Sequence, residues 1–478
     1  MNKQIRLVSL VAALMVFALL GNLTYFSVFQ TAPMEANALN RRARDEELDV
    51  DRGEILAGGT VIAQSVPSTD GSAFAFQRVY PNGPLYAPVT GFFSSVYGTS
   101  RVENSYNSYL AATDDAQWFD RLMGEFTGRV PEGASVITTI DPVLQEIAYS
   151  ALGNDTGAVV VMDPHTGAIK ALVSTPSWDP NQLAVHDPAQ QQENHEQLFA
   201  NQDDPESPLR DRASREIFPP GSTFKLIVAS AALEQGYTPN TLLDTPAELP
   251  LPGTSITLPN FANCGDTQLS MATALQWSCN TSFAKLGATL GANAVRDQAE
   301  KFGFDSPHLP ELGGAASHFP AELNEAQLMM SSIGQYDVAA SPLQMAMVVA
   351  ALANNGLLPE PYLVQEVRAP DLSVVYSHNV DTSRAVTAST AQQMRDMMIN
   401  VVENGGGVYA AIPGVTIGGK TGTAESAPGR NPYAWFVGFA QDPDIVVAVF
   451  VQKAGDGSET MGGMFAGPIA KTVFQASR

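Results

Sequence analysis

The stretch Phe218-Pro-Pro-Gly-Ser-Thr-Phe-Lys225 decides how the rest of the chain is interpreted. Its Pro-Pro-Gly break leads into an apolar segment, residues 222–235, that predicts a helix. Ser222 and Lys225 are three residues apart, so a helix places them on one face, with the amine within reach of the hydroxyl. Burial in this apolar segment lowers the pKa of a lysine, and the helix N-terminus can stabilise an oxyanion. The stretch therefore predicts an activated serine, although S-x-x-K alone is common and also fits a capped helix with a surface lysine.

Two further motifs follow in a fixed order. Ser278-Cys-Asn280 lies in the helical block 271–286 and offers a second hydroxyl and a carboxamide, which suit proton relay and the binding of a peptide carbonyl. Gly418-Gly-Lys-Thr-Gly-Thr423 precedes a predicted strand. Its lysine and threonine hydroxyls can bind a carboxylate, and its glycines let a substrate backbone come close. The three motifs together favour acyl transfer on a serine.

The ordered set S-x-x-K, S-x-N and K-T-G-T resembles the penicillin-binding proteins and the serine β-lactamases. The segments 38–41 and 51–55 are similar to the first module of class B penicillin-binding proteins, and 139–145 and 162–167 are similar to the approach to their transpeptidase domain. The resemblance covers nearly the whole chain. Its nearest kind is the actinobacterial penicillin-binding protein A type, a short class B peptidoglycan D,D-transpeptidase.

The resemblance implies a role for each motif residue. Ser222 is the expected nucleophile and Lys225 its base, Ser278 relays a proton with the help of Lys420, and Asn280 holds the substrate amide. The expected substrate-binding positions are Thr421, Gly422 and Thr423.

The resemblance also implies the reaction. The two threonine hydroxyls bind the terminal carboxylate, and the backbone N–H groups of Ser222 and Thr423 form an oxyanion hole. A donor stem peptide loses its terminal D-Ala, and an amine of a neighbouring stem then resolves the acyl-enzyme into a cross-link. β-Lactams are expected to stop at the first step, and no cofactor or metal is implied.

The predicted fold class is α+β, with an antiparallel sheet flanked by helices as in the penicillin-binding transpeptidase and serine β-lactamase fold. We expect a cytoplasmic tail at 1–6, an anchor at 7–29, a non-catalytic pedestal or dimerisation-like module at 30–150 and the transpeptidase domain at 155–478. Strands are predicted at 135–140, 158–162, 168–173, 434–440 and 445–453, and helices at 142–152, 222–235, 271–286, 343–354 and 465–474. Residues 178–215 show no clear periodicity.

The N-terminus predicts a single membrane span. Lys3 and Arg6 are the only charges before an uncharged run at 7–34, which is long enough for the roughly 20 residues that a span needs. The preceding positive charges predict a cytoplasmic N-terminus and an extracytoplasmic catalytic domain. A cleaved signal peptide is the alternative, since Ala36-Asn37-Ala38 has the form of a cleavage site.

Composition excludes several other classes. The 478 residues carry a formal charge of −23, which argues against a nucleic-acid binder. Two cysteines and six histidines, with no H-x-x-x-H pair, argue against a zinc module. In an exported domain the cysteines, Cys264 and Cys279, favour a disulfide that pins the second motif, and two separate core thiols are the alternative.

The sequence disfavours some alternative functions and leaves others open. Residues 414–421 satisfy the P-loop pattern, but no helix is predicted after them, which disfavours an NTPase. A β-lactamase is disfavoured because Pro320 occupies the position of the class A deacylating glutamate. A β-lactam sensor, an envelope scaffold and a D,D-carboxypeptidase remain. The family implies a membrane glycosyltransferase that polymerises lipid II, and division or elongation proteins, as partners.

Overall fold

The computed structural model describes residues 2–26, 47–114, 130, 132–260, 264–265, 267–426, 430–455 and 462–478. The tripeptide Ala36-Asn37-Ala38, the class B-like segment 38–41 and the end of the expected anchor lie outside the described residues.

The strands are numbered in chain order. They are β1 Ile55–Ala57, β2 Thr60–Pro67, β3 Phe76–Val79, β4 Phe93–Ser94, β5 Gly98–Thr99, β6 Ser135–Thr138, β7 Gly157–Met162, β8 Ile169–Thr175, β9 Leu242–Thr245, β10 Glu248–Pro250, β11 Thr257–Pro259, β12 Thr267–Ser270, β13 Leu357–Pro359, β14 Val364–Arg368, β15 Val374–Ser377, β16 Thr382–Arg384, β17 Ile417–Ala424, β18 Tyr433–Gln441 and β19 Asp444–Val451.

The α-helices are numbered in the same way. They are α1 Asn2–Tyr25, α2 Gly83–Thr90, α3 Arg101–Ser105, α4 Asn107–Leu110, α5 Pro142–Leu152, α6 Pro188–Phe199, α7 Lys225–Glu234, α8 Met271–Gln276, α9 Asn280–Leu290, α10 Ala292–Lys301, α11 Glu325–Ser331, α12 Pro342–Ala353, α13 Ala388–Asn404 and α14 Gly462–Ala476. Short 3₁₀ turns occur at Pro180–Gln182, Gly221–Phe224, Pro310–Leu312 and Val408–Ala410.

A five-stranded antiparallel sheet, in the order β17-β18-β19-β7-β8, forms the centre of the expected catalytic domain. Its strands are apolar on both faces, because alternate residues enter two different cores. Val160 and Ala448 belong to the core under α7 and α12, whereas Val161 and Val447 belong to the core under α5 and α14. β17, which carries the K-T-G-T motif, is an edge strand of this sheet.

A second sheet crosses the boundary expected near residue 150. Its order is β15-β14-β6-β1-β2-β3, so two strands from 364–377 complete a sheet otherwise built from residues 55–138. Backbone hydrogen bonds therefore join the expected N-terminal module to the second half of the chain. The expected domain boundary at 150–155 remains a prediction.

Several predicted elements are confirmed. Helix α5 begins after Asp141, whose carboxylate accepts the N–H groups of Val143 and Leu144 as an N-cap. The hairpin predicted at 158–173 is formed by β7 and β8. The last two strands and the final helix are also present, each within a few residues of its expected bounds.

One predicted helix is wrong. The block 271–286 is not one helix, because the chain breaks between α8 and α9 and Ser278 takes a left-handed φ of 61°. Within 178–215, where no element was predicted, the structure has helix α6, which Asp187 caps and Pro188 begins. Its sequence is polar on all sides, so no apolar periodicity marked it.

Helix α1 extends from Asn2 to Tyr25 and includes the residues expected to form the cytoplasmic tail. Within its segment Lys3–Tyr25, an 18-residue window reaches a mean hydropathy of 2.2, and none of that window is buried against the protein. Among the described residues it is the one helix long and apolar enough to cross a membrane. Its exposure fits lipid better than a protein core.

Candidate active site

Ser222 lies in the short turn Gly221–Phe224, directly before helix α7 begins at Lys225. The expected helix therefore starts three residues late, and Ser222 and Lys225 belong to a 3₁₀ turn and an α-helix respectively. The turn is tied to its surroundings on both sides. Trp435 donates its indole N–H to the carbonyl of Pro219 at 3.0 Å, and Gly221 donates its N–H to the carbonyl of Gly334 at 3.0 Å.

Three backbones meet around Gly221. Gly221 has a φ of 52°, and a Cβ there would lie 2.5 Å from the carbonyl oxygen of Thr423. A Cβ on Gly334, whose φ is 73°, would lie 2.1 Å from the carbonyl oxygen of Gly221. Only glycine combines this conformation with this approach. The nucleophile turn is thereby held against the K-T-G-T strand.

The side chain of Lys225 is fully buried and points at the second motif. Its Nζ donates to the Ser278 carbonyl at 2.7 Å, to the Ser278 hydroxyl at 3.3 Å and to Asn280 Oδ1 at 2.8 Å. The sequence predicted an approach to Ser222, whereas these three hydrogen bonds all go to Ser278 and Asn280. The structure thus joins the first motif to the second through the lysine.

Lys420 reaches the same hydroxyl from β17. Its Nζ donates to Ser278 Oγ at 2.9 Å and to the carbonyl of Thr421 at 3.0 Å. The Ser278 hydroxyl therefore lies between two amines, one from each of the other motifs. A hydroxyl in this position can pass a proton between them.

Both lysines have lowered pKa values. Burial, together with the nearby charge of Lys420, holds the pKa of Lys225 well below its usual 10.5. Burial lowers the pKa of Lys420 to about 7. The lowered pKa makes the neutral amine of Lys225, which is the form that a general base requires, easier to reach than that of an exposed lysine.

The break between α8 and α9 gives Ser278 and Asn280 their positions. Ser278 adopts a left-handed conformation, and Asn280 is the first residue of α9. Between them, Cys279 forms a disulfide with Cys264. Asn280 also donates from Nδ2 to the Pro259 carbonyl at 3.3 Å, so the loop that carries the second motif is fixed at several points.

The predicted carboxylate-binding residues lie on β17 beside the start of α14. Thr423 Oγ1 accepts the N–H of Gly462 at 2.8 Å, and Thr421 packs against Gly463. A hydroxyl that accepts from a backbone N–H has its own proton free for another acceptor. Gly422, between them, lies close to the carbonyl of Pro220.

Sequence reasoning missed Trp435 and Gly462 as parts of this site. Their contacts join residues more than thirty positions apart, and no local pattern marks such pairings. In the part of the chain that the structure describes, no three His, Cys, Asp or Glu side chains are grouped so as to hold a metal ion.

The buried Ser222 lies beside Lys225 in the chain, and Lys225 of α7 and Lys420 of β17 meet at Ser278; this site defines a serine acyltransferase of the penicillin-binding class. The chain belongs to the penicillin-binding protein transpeptidase family. The model of the penicillin binding protein transpeptidase domain matches residues 157–475, and that of the penicillin binding protein A dimerisation domain matches residues 52–136.

The PbpA relatives of two mycobacterial species match over nearly their whole length. The peptidoglycan D,D-transpeptidase PbpA of Mycolicibacterium smegmatis is 42% identical, with 100% of this chain and 99% of the relative covered. PbpA of Mycobacterium tuberculosis is 41% identical at the same coverage. Penicillin-binding protein A of M. tuberculosis, solved as its penicillin G acyl-enzyme complex, superposes with a TM-score of 0.84 at 40% identity, covering 90% of this chain and 99% of that one.

Proposed function

We propose that this chain is a peptidoglycan D,D-transpeptidase that works through an acyl-enzyme on Ser222. The observation that carries the proposal is the Ser278 hydroxyl, which lies 3.3 Å from Lys225 Nζ and 2.9 Å from Lys420 Nζ. This arrangement supplies Lys225 as a base, the Ser278 hydroxyl as a proton relay and Lys420 as a second amine. All three belong to the site of the buried Ser222. It matches the activity by which the full-length relatives are named.

The first half of the reaction is acylation. The Ser222 oxygen attacks the scissile carbonyl as its proton passes to neutral Lys225. The backbone N–H groups of Ser222 and Thr423 hold the oxyanion. The C–N bond then breaks, and the departing D-Ala amine takes a proton through the Ser278 hydroxyl. The products are the acyl-enzyme and free D-Ala.

The second half transfers the acyl group to an amine. The amine of a neighbouring stem peptide attacks the ester carbonyl, loses a proton through the same groups, and releases Ser222. The product is a peptide cross-link. A β-lactam acylates Ser222 by the same first step but keeps its amine attached, so the acyl-enzyme persists.

The substrate peptide has a natural place on the open edge of β17. An extended peptide can add to an exposed sheet edge through backbone hydrogen bonds. Its terminal carboxylate then lies at the hydroxyls of Thr421 and Thr423, with the backbone of Gly422 between them. Asn280, which in this structure orients Lys225, also contacts the substrate amide in this proposal.

Helix α1 anchors the protein as a single span, with the N-terminus in the cytoplasm and the catalytic domain outside the cell membrane. Lys3 and Arg6 at one end of an otherwise uncharged helix support this orientation. Residues 30–150 serve as a non-catalytic, dimerisation-like module and 155–478 as the transpeptidase domain. A lipid-II-polymerising glycosyltransferase and division or elongation proteins are the proposed partners.

Labelling with a fluorescent penicillin tests the site. The purified full-length chain acquires a stable label that is absent from Ser222→Ala and reduced in Lys225→Gln. Ser230→Ala is a matched control, because this serine lies in the helix that follows the nucleophile turn and its hydroxyl donates to the carbonyl of Leu226 within that helix. Label retained by Ser222→Ala, or lost equally from Ser230→Ala, would refute the assignment of the nucleophile. Rapid loss of the label from the native chain would favour a β-lactamase.

A further inference from the structure

A cleft of about 390 Å³ opens beyond the end of the K-T-G-T strand. Small-molecule sites usually occupy roughly 300–1,000 Å³. Six of its lining residues carry the argument: Asp204, Glu206, Ser426, Arg430, Tyr433 and Lys453. None of them belongs to the three motifs, so the cleft is separate from the acylation site.

The direction of the donor peptide points it towards the end of β17 at which this cleft opens. With the carboxylate at Thr421 and the scissile carbonyl at the Thr423 N–H, the peptide runs antiparallel to β17. Its residues before the scissile bond therefore extend from Thr423 towards Ser426. Ser426 lies three residues further on, which is about 10 Å at the rise of a strand. A long side chain on the residue before the terminal D-Ala-D-Ala pair extends the donor further towards the cleft.

Hydrogen-bonded and packed residues form the wall of the cleft nearest to β17. Tyr433 pairs with Ala424 at the end of the β17–β18 ladder, and its ring packs against Phe218 with centroids 5.7 Å apart. Ser426 donates its hydroxyl to the carbonyl of Asn431 at 2.7 Å. The wall of the cleft is therefore continuous with the segment that leads to Ser222.

The charges of the cleft are of both signs. Glu206 and Lys453 form an ion pair with each other, which leaves Asp204 and Arg430 as the groups able to engage a ligand. Asp204 Oδ1 accepts the N–H of Glu206 at 2.8 Å, which fixes the carboxylate at the rim. Among the described residues, Arg430 has no ion-pair partner. A ligand with one ammonium and one carboxylate complements this pair.

We propose that this cleft binds the side chain of the donor residue that precedes the terminal D-Ala-D-Ala, and that this side chain ends in both an ammonium and a carboxylate. Arg430 binds the carboxylate and Asp204 the ammonium. The inference rests on the proposed function, because it needs a stem peptide as the acyl donor. It adds a specificity site for that donor, distinct from the acylating residues.

Four donor peptides that differ at one residue test the proposal. Each ends in X-D-Ala-D-lactate, where X is meso-diaminopimelate, lysine, 2-aminopimelate or norleucine, so that X carries both charges, only the ammonium, only the carboxylate or neither. The rate of acyl-enzyme formation on the full-length chain is followed by intact mass. The doubly charged donor should acylate at least about tenfold faster than norleucine, because two charge-assisted bonds are gained.

Two variants test which cleft residue binds each charged group of the donor side chain. Arg430→Ala should abolish the preference for diaminopimelate over lysine, and Asp204→Asn the preference over 2-aminopimelate. Lys301→Ala, which removes an exposed cation outside the cleft, should keep the wild-type order. Equal rates for all four donors, or an unchanged order in both cleft variants, would overturn the proposal.

Two further outcomes separate this proposal from the proposed function. If penicillin acylates Ser222 but no peptide donor does, the transpeptidase assignment fails and the cleft proposal fails with it. If all donors acylate equally and the preference appears only when an amine resolves the acyl-enzyme, the function stands. The cleft then serves the acceptor, and the donor proposal is wrong.

Discussion

Lys225 and Lys420 converge on one hydroxyl: their Nζ atoms lie 3.3 and 2.9 Å from Ser278 Oγ. Both amines are fully buried, which lowers both pKa values, and the nearby charge of Lys420 lowers the pKa of Lys225 further. The pair places a lysine of lowered pKa directly after the turn that carries Ser222, in a chain that is acidic as a whole. It also connects the three sequence motifs in one proton path.

Removing the Lys420 charge should shift the pH profile of acylation. The rate of penicillin acylation rises with pH as Lys225 loses its proton. In Lys420→Gln the repelling charge is gone, so the pKa of Lys225 rises and the acid limb of the profile moves to higher pH. Burial remains the larger cause of the lowered pKa, so Lys225 does not return to its usual value. The measurement is a stopped-flow acylation rate from pH 5 to 10, and an unmoved acid limb would contradict the coupling.

Gly334→Ala should strongly slow acylation. Its Cβ would lie 2.1 Å from the Gly221 carbonyl oxygen at a φ of 73°, so the nucleophile turn must move. A displacement of about 1 Å can cost on the order of a hundredfold in rate. Gly236→Ala is the matched control, because it also has a positive φ, of 90°, but has no atom within 4 Å of its Cβ. Similar acylation rates in the two variants would show that the close contact does not position Ser222.

Breaking the disulfide should loosen the second motif. Cys264 and Cys279 are 15 residues apart, a loop whose cross-link contributes about 3 kcal/mol by chain entropy. The double variant Cys264→Ser, Cys279→Ser should lose about that much free energy of unfolding, measured by urea denaturation. It should also acylate more slowly, since Cys279 separates Ser278 from Asn280. Unchanged acylation in a destabilised variant would limit the bond to a role in stability.

The ion pair between Arg101 and Asp211 should contribute more to the free energy of unfolding than a surface ion pair does. Its N–O distance is 2.7 Å and the Asp211 side chain is fully buried. Arg101→Ala leaves this carboxylate buried and unpaired, which costs about 3–5 kcal/mol. The exposed pair of Lys285 with Asp244 is the control, and Lys285→Ala should cost only about 0–1 kcal/mol. Equal losses of unfolding free energy would contradict the role assigned to burial.

The free energy of unfolding that the Arg101–Asp211 ion pair contributes should decrease as the pH is lowered. Burial raises the pKa of Asp211, but the Arg101 guanidinium and the Ser214 hydrogen bonds outweigh it and hold the pKa below 3.8. A lowered carboxyl pKa gives stability that is complete above the unfolded value and is lost as pH falls through the folded one. The difference in unfolding free energy between wild type and Arg101→Ala should therefore shrink on acidification. A difference that grows below pH 4 would contradict it.

The sequence predicted those parts of the molecule that local patterns control. Asp141 and Pro142 marked the start of α5, and the turn at 163–167 marked the hairpin of β7 and β8. The break at Ser278 could not be predicted, because the apolar residues on either side have helical spacing and a left-handed serine has no sequence signature.

The same limit applies to the site. The motifs predicted one site for Ser222, Lys225, Ser278 and Lys420, and the structure brings the last three together at the Ser278 hydroxyl. That Lys225 bonds Ser278 and Asn280 depends on how α7 packs against α9, which no local pattern encodes. The strands β14 and β15, which complete the sheet of the N-terminal module, likewise depend on contacts across more than two hundred residues.

Cross-linking of stem peptides tests the central claim most directly. The full-length chain in detergent is given a donor ending in D-Ala-D-Ala and an excess of an acceptor stem with a free amine, and the products are identified by mass spectrometry. The account predicts a cross-linked peptide together with one D-Ala per cross-link, both absent from Ser222→Ala and retained by Ser230→Ala. A cross-link that forms equally with Ser222→Ala, or donor hydrolysis with no cross-link at any acceptor concentration, would contradict it.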